Sequence, residues 1–94
     1  MKNEWIKTTP STYLDVVQDG CVILEPRSSF DGGIIGYSPS ENKLVYSYNL
    51  LVDSLMDAWK CEYTEAVEYL DYNTIYVSVE NWPVFVFDGD EDEE

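Results

Sequence analysis

Nineteen carboxylates and no histidine set the chemistry open to this 94-residue chain. Without an imidazole, neither a Ser/His/Asp nor a Cys/His nucleophilic arrangement can be built, and histidine-based zinc and iron centres are excluded with them. Cys21 and Cys61 stand far apart in the chain and fit no metal-binding or redox spacing. Gly32, Gly33 and Gly36 lack both the spacing and the following lysine of a phosphate-binding loop, and they suit the entrance to a hairpin instead. Carboxylate pairs such as Glu65 with Glu68, or Asp53 with Asp57, are present, but nothing marks either pair as buried. They read as solvated helix faces, not as an acid and a base at work. The run from Asp88 to Asp92 imitates the opening of a calcium loop but has neither the glycine nor the distant bidentate glutamate that completes one. No catalytic residue, cofactor or specific metal site is therefore expected.

The carboxylates matter through their sum. Five basic residues leave a formal charge of −14. Six of the acids, Asp88, Asp90, Glu91, Asp92, Glu93 and Glu94, form a tail, so thirteen acids against five bases still leave −8 on residues 1–87. Such a surface repels nucleic acid and anionic membranes and attracts basic partners, including proteins whose positive grooves hold nucleic acid. Lys2, Lys7, Arg27, Lys43 and Lys60 are scattered, so no direct nucleic-acid contact surface is expected. Residues 1–8 contain no apolar run, and 18 consecutive apolar residues occur nowhere. The expectation is a cytoplasmic protein with reduced thiols.

These residues need a scaffold, and the length allows one domain that buries roughly 60–68% of its unfolded surface. A hydrophobic content of 45%, with eight tyrosines, three tryptophans and three phenylalanines, places the chain among globular proteins and not disordered ones. Trp5 and Ile6 are possible anchors for the N-terminal segment. The spacing predicts a helical turn over 13–18 stopped by Gly20, then a strand over 21–25, with an extended strand throughout as the competing reading. Residues 25–33 have a loop composition. Two short apolar runs, 34–38 and 43–48, flank Pro39, Ser40, Glu41 and Asn42 and predict a hairpin, with Leu44, Tyr46 and Tyr48 on one face. Asn49 is the expected cap of a helix near 49–60 whose inner face is Leu51, Leu55, Ala58 and Trp59. A second helix near 63–72 places Tyr63, Ala66, Val67 and Leu70 inward, with Asn73 as its left-handed end. Strands near 75–79 and 84–87 follow, and the acidic tail over 88–94 is expected to be disordered. The result is an α+β domain: a small antiparallel sheet packed against two helices.

The segments FDGGIIGY, LVYSYNLLVDSLM, EAVEYLDYNT and WPVFV, a little over half of the chain, resemble a family of small acidic proteins encoded by bacteriophages and prophages. The chain departs from that pattern at Glu62, where the family often has threonine, and at Lys60 and Cys61, where it often has a tight glycine. The resemblance implies a hairpin, two helices and a return strand, and a setting inside a bacterial host cell. It brings no activity and no site residues.

Charge and setting together point to an inhibitor that mimics nucleic acid, an anti-defence protein offering carboxylates where a basic host protein expects phosphates. Candidate targets are a defence nuclease, a restriction or CRISPR effector, or a transcription factor. Glu65, Glu68 and Asp71 advance about 4.5 Å per step along a helix, close to but shorter than the interval between phosphates along a strand. Asp53, Asp57 and Glu62 extend the candidate surface. The alternative is a protein–protein interaction module, a regulator or assembly factor, that binds through an aromatic and apolar surface drawn from Tyr46, Tyr48, Tyr63, Tyr69, Tyr72 and Tyr76. Edge strands at 43–48 or 84–87 allow a homodimer.

Overall fold

Short apolar and aromatic runs on either side of a four-residue turn make the centre of the fold a hairpin. In the computed structural model, which describes residues 5–75, 77 and 81–87, β2 (Ile34–Ser38) and β3 (Lys43–Ser47) pair antiparallel. Along β2 the register advances from Ile34 to Gly36 while β3 moves only from Tyr46 to Val45, so Ile35 is the extra residue of a bulge. Its carbonyl accepts a hydrogen bond from the Thr8 N–H at 3.1 Å, beside β1 (Ile6–Lys7), which pairs antiparallel with β2. Asn42 takes the left-handed conformation that closes the turn, at φ 56°. Its side chain accepts from the Tyr37 hydroxyl and donates to the Asp19 carbonyl at 3.0 Å, tying the turn to the 18–20 loop.

The fourth strand, β4 (Val84–Val86), lies parallel to β3, in the order β1-β2-β3-β4. The α+β class is as expected, but the sheet is mixed and not purely antiparallel. Strand β3 is internal, so it offers no edge for a second copy, and among the described residues β4 is the strand at that edge. Leu44, Val45, Tyr46 and Ser47 are all buried, where the alternation predicted one open face. Leu44 and Tyr46 face the helices. Tyr48 leaves the strand altogether and begins the next helix.

Among the described residues, three helices pack with the sheet around the core. Residues 25–33, expected to be a loop, contain a single turn of helix, α1 (Arg27–Phe30), continued by a 3-10 turn over Asp31–Gly33. Helix α2 (Tyr48–Trp59) is capped by Ser47, whose hydroxyl accepts from the Leu50 N–H, and not by Asn49. It buries Leu51, Val52 and Leu55. It ends at Lys60, which takes the left-handed conformation at φ 54°. Helix α3 (Tyr63–Leu70) buries Ala66 and Leu70 and runs on into a wider π-helical turn, Asp71–Ile75. Asn73 lies within that turn and is not a left-handed terminus, and Ile75 belongs to the turn and not to a strand. Most of the expected strand at 75–79, and the tail at 88–94, lie outside the described residues. Trp82 pins the turn by donating its indole N–H to the Thr74 carbonyl at 2.8 Å.

The core gathers Tyr13, Leu24, Phe30, Tyr37, Leu44 and Tyr46 with the inner faces of α2 and α3. Tyr13 enters from a 3-10 turn, Tyr13–Asp15, shorter than the helical turn expected over 13–18, and Val16 lies outside the core. The expected strand at 21–25 does not form. Its buried Leu24 N–H bonds the Tyr46 hydroxyl at 3.1 Å, so a side chain supplies the acceptor a strand neighbour would have supplied. Among the described residues, no helix is long and apolar enough to cross a membrane.

Candidate protein-binding site

Helix α3 orders the candidate acids because its buried residues fix its rotation. At about 100° per residue, Glu68 stands opposite the stripe made by Ala66 and Leu70, with Glu65 to one side of it. Glu65, Glu68, Tyr69 and Tyr72 follow the i, i+3, i+4, i+7 pattern. Together with Trp59 and Cys61 from the end of α2 and the start of the connection, and with Asn73, they line an open depression of about 520 Å³.

The aromatic wall of this depression is held in place. The Trp59 indole N–H donates to the buried Ser29 hydroxyl at 2.7 Å, and its ring meets both Phe30 and Tyr69 edge-on, at 6.3 and 4.9 Å between centroids. Ser29 is fixed in turn, because its carbonyl accepts from the Ser54 hydroxyl on α2. Trp59 remains 38% exposed and Tyr72 82% exposed. On the acidic side, the Glu65 carboxylate accepts from the Glu62 N–H at 3.1 Å as part of a capping box. That contact fixes where one of its oxygens points.

The structure divides the six acids expected to act together. Glu65 and Glu68 share the depression. Glu62 caps α3 with its side chain on the Glu65 N–H, and its backbone is engaged at both groups, the N–H by the Glu65 carboxylate and the carbonyl by the Ala66 N–H at 3.0 Å. Asp71 turns away and accepts from the Tyr48 hydroxyl at 3.3 Å. Asp53 and Asp57 are exposed on the side of α2 opposite Leu51 and Leu55, away from Trp59. Among the described residues the ion pairs are Arg27 with Asp31 at 3.5 Å and Lys43 with Glu41 at 3.8 Å, so none of the six candidate acids is paired with a cation.

The expected tyrosine set divides as well. Tyr46 is core, Tyr48 is half-buried and stacked on Phe87 at 4.8 Å, and Tyr63, expected inward, is 60% exposed because the first turn of α3 projects beyond the packing. Tyr76 lies outside the described residues. Trp59 was expected in the core with Ala58. Ala58 is exposed, and the indole forms the wall of the depression while its N–H is satisfied beneath. Periodicity gave no sign of this, because Trp59 falls on the same stripe as Leu51 and Leu55.

Other groups have plain structural roles. Tyr13, Arg27 and Asp31 form a cluster in which the Tyr13 hydroxyl donates to the Asp31 carboxylate at 3.0 Å and Arg27 lies over the ring. Burial, reinforced by Asp31, pushes the Tyr13 phenol above its ordinary range. Burial likewise raises the Cys21 thiol, which keeps it protonated and weakly nucleophilic. Cys21 and Cys61 are not bonded to each other. Among the described residues no three His, Cys, Asp or Glu side chains are grouped to hold a metal ion. Compared with known proteins, the chain matches no family model, no curated protein and no solved structure.

Proposed function

We propose that this protein is an acidic inhibitor that binds a basic, nucleic-acid-binding protein of a bacterial host by presenting carboxylates in place of phosphates. The observation that carries the reading is that Asp53 and Asp57 on α2, Glu62 at the cap of α3 and Glu65 and Glu68 along α3 are exposed, and that neither they nor Asp71 is paired with a cation among the described residues. Fields of the same sign add over such a surface, and a partner with a positive groove is steered towards it. The resemblance to phage-encoded proteins supplies the setting, in which a defence nuclease, a restriction or CRISPR effector, or a transcription factor is the target.

The aromatic wall beside Glu65 and Glu68 favours a second reading, an interaction module whose affinity comes from Trp59, Tyr69 and Tyr72 while charge contributes little. Capture from host lysate over a salt series separates the two. The inhibitor reading expects a basic nucleic-acid-binding protein that is displaced by DNA or RNA and released as salt screens the charges. A neutral partner indifferent to both would remove it. Glu65→Gln with Glu68→Gln and Asp71→Asn takes the net charge from −14 to −11. Glutamine still completes a capping box and asparagine still accepts from Tyr48, so the fold survives. Affinity falls by roughly 3- to 150-fold if each acid makes one exposed ion pair. Full inhibition by this variant would exclude the α3 face.

A further inference from the structure

We infer that the depression beside α3 is a receptor for one arginine side chain of the partner. The inference rests on the proposed function only in taking the partner to be basic, and it names the group recognised and the place. Carboxylates alone would attract any cation. Here Glu65 and Glu68 share the depression with a fixed indole and two phenol rings, Tyr69 half-buried and Tyr72 almost fully exposed. Trp59 cannot swing away without breaking its bond to Ser29 and its edge contacts with Phe30 and Tyr69. The Glu65 oxygen held by the Glu62 N–H leaves its second oxygen to a ligand.

Charge decides the sign of the occupant. Two carboxylates on a chain of net charge −14 repel an anionic group, and leaving them beside a neutral apolar residue would desolvate them without compensation. Shape decides between the two cations. A guanidinium is planar, stacks on aromatic faces and is weakly hydrated, and its fork can reach both a carboxylate and a ring at once. An ammonium is compact and strongly hydrated, so it gains the charge but little of the stacking. The depression is too open to enclose a folded element, yet one long side chain laid over the rings would cover Trp59 and Tyr72.

Titration of the full chain with N-acetyl-Arg-Arg-amide and with N-acetyl-Lys-Lys-amide, followed by nuclear magnetic resonance, tests this. Saturable shifts are expected at the Trp59 indole N–H and the Tyr69 and Tyr72 rings, with the arginine peptide at least about three times tighter than the lysine peptide. Tyr72→Ala and Glu68→Gln, both at exposed positions, should each weaken the arginine peptide by about two- to fivefold. Equal affinity for the two peptides, or shifts spread evenly to Asp53 and Asp57, would reduce the site to general acidity and overturn the inference. So would the absence of saturation at Trp59. The two proposals fail separately. Arginine binding at Trp59 with no DNA-displaceable partner in lysate would leave the receptor and remove the inhibitor. A DNA-displaceable partner held equally well by Tyr72→Ala would do the reverse.

Discussion

The Tyr46 hydroxyl is the most exacting test of how the core is assembled. Tyr46 is fully buried, and its oxygen accepts from the Leu24 N–H at 3.1 Å, on a segment with no strand partner. Tyr46→Phe keeps the ring and orphans that donor, which costs about 1–3 kcal/mol and lowers the melting midpoint by about 4 °C or more in a domain of this size. The same site has a pH signature. Burial raises the Tyr46 phenol well above its ordinary range, whereas the unfolded chain ionises it near 10. A group whose folded pKa is raised contributes stability below its unfolded pKa and loses it as pH rises towards the folded one. Between pH 9 and 11 the unfolded state therefore gains about 1.4 kcal/mol from this single phenol. Phenylalanine cannot ionise, so the gap between the two proteins should narrow by about that amount. Urea unfolding followed by circular dichroism at pH 7, 9 and 11 measures both quantities. A loss under about 0.5 kcal/mol at pH 7 would refute the hydrogen bond, and a gap that stays constant to pH 11 would refute the burial argument.

Gly36→Ala would place a methyl group inside the Trp5 ring and 2.8 Å from the Ile6 carbonyl oxygen. A cost of about 1–3 kcal/mol is expected, with a shift in tryptophan emission as Trp5 is expelled, and unchanged emission with unchanged stability would show that Trp5 does not cover this glycine. Lys60→Gly relieves a left-handed residue and should stabilise the domain by about 1 kcal/mol in chemical denaturation; a loss would mean that the lysine side chain does more for the α2–α3 connection than its backbone costs. Removal of residues 88–94 deletes six acids and Gly89 and no apolar side chain, so the melting midpoint at low salt should hold or rise as self-repulsion falls. A drop of several degrees would assign the tail a structural role.

The hairpin and both long helices were legible because each announces itself within a dozen residues. Ile34 to Ser38 and Lys43 to Ser47 flank Pro39 to Asn42, and Leu51, Leu55, Ala66 and Leu70 recur at helical spacing. The loop reading of residues 25–33 missed α1, a single turn too short to carry a period. The parallel pairing of β4 with β3 was also illegible. Three residues specify no orientation, and the partner lies about forty positions away. Tyr63 and Ala58 fit the inward pattern but project, since periodicity assigns a face without saying how far the neighbouring element extends.

The candidate site divides along the same line. Composition by itself determined that this is a histidine-free, strongly acidic chain, because formal charge and side-chain chemistry do not depend on folding. Helical spacing alone also put Glu65 and Glu68 outward, because Ala66 and Leu70 had to be buried. Only the tertiary structure decided that Asp71 diverges to Tyr48, since a π turn changes the angular phase beyond Leu70. It alone decided that Trp59 is a wall and not a core residue. That depends on Ser29, distant in sequence, arriving beside the indole to satisfy its N–H while the side chain stays partly exposed.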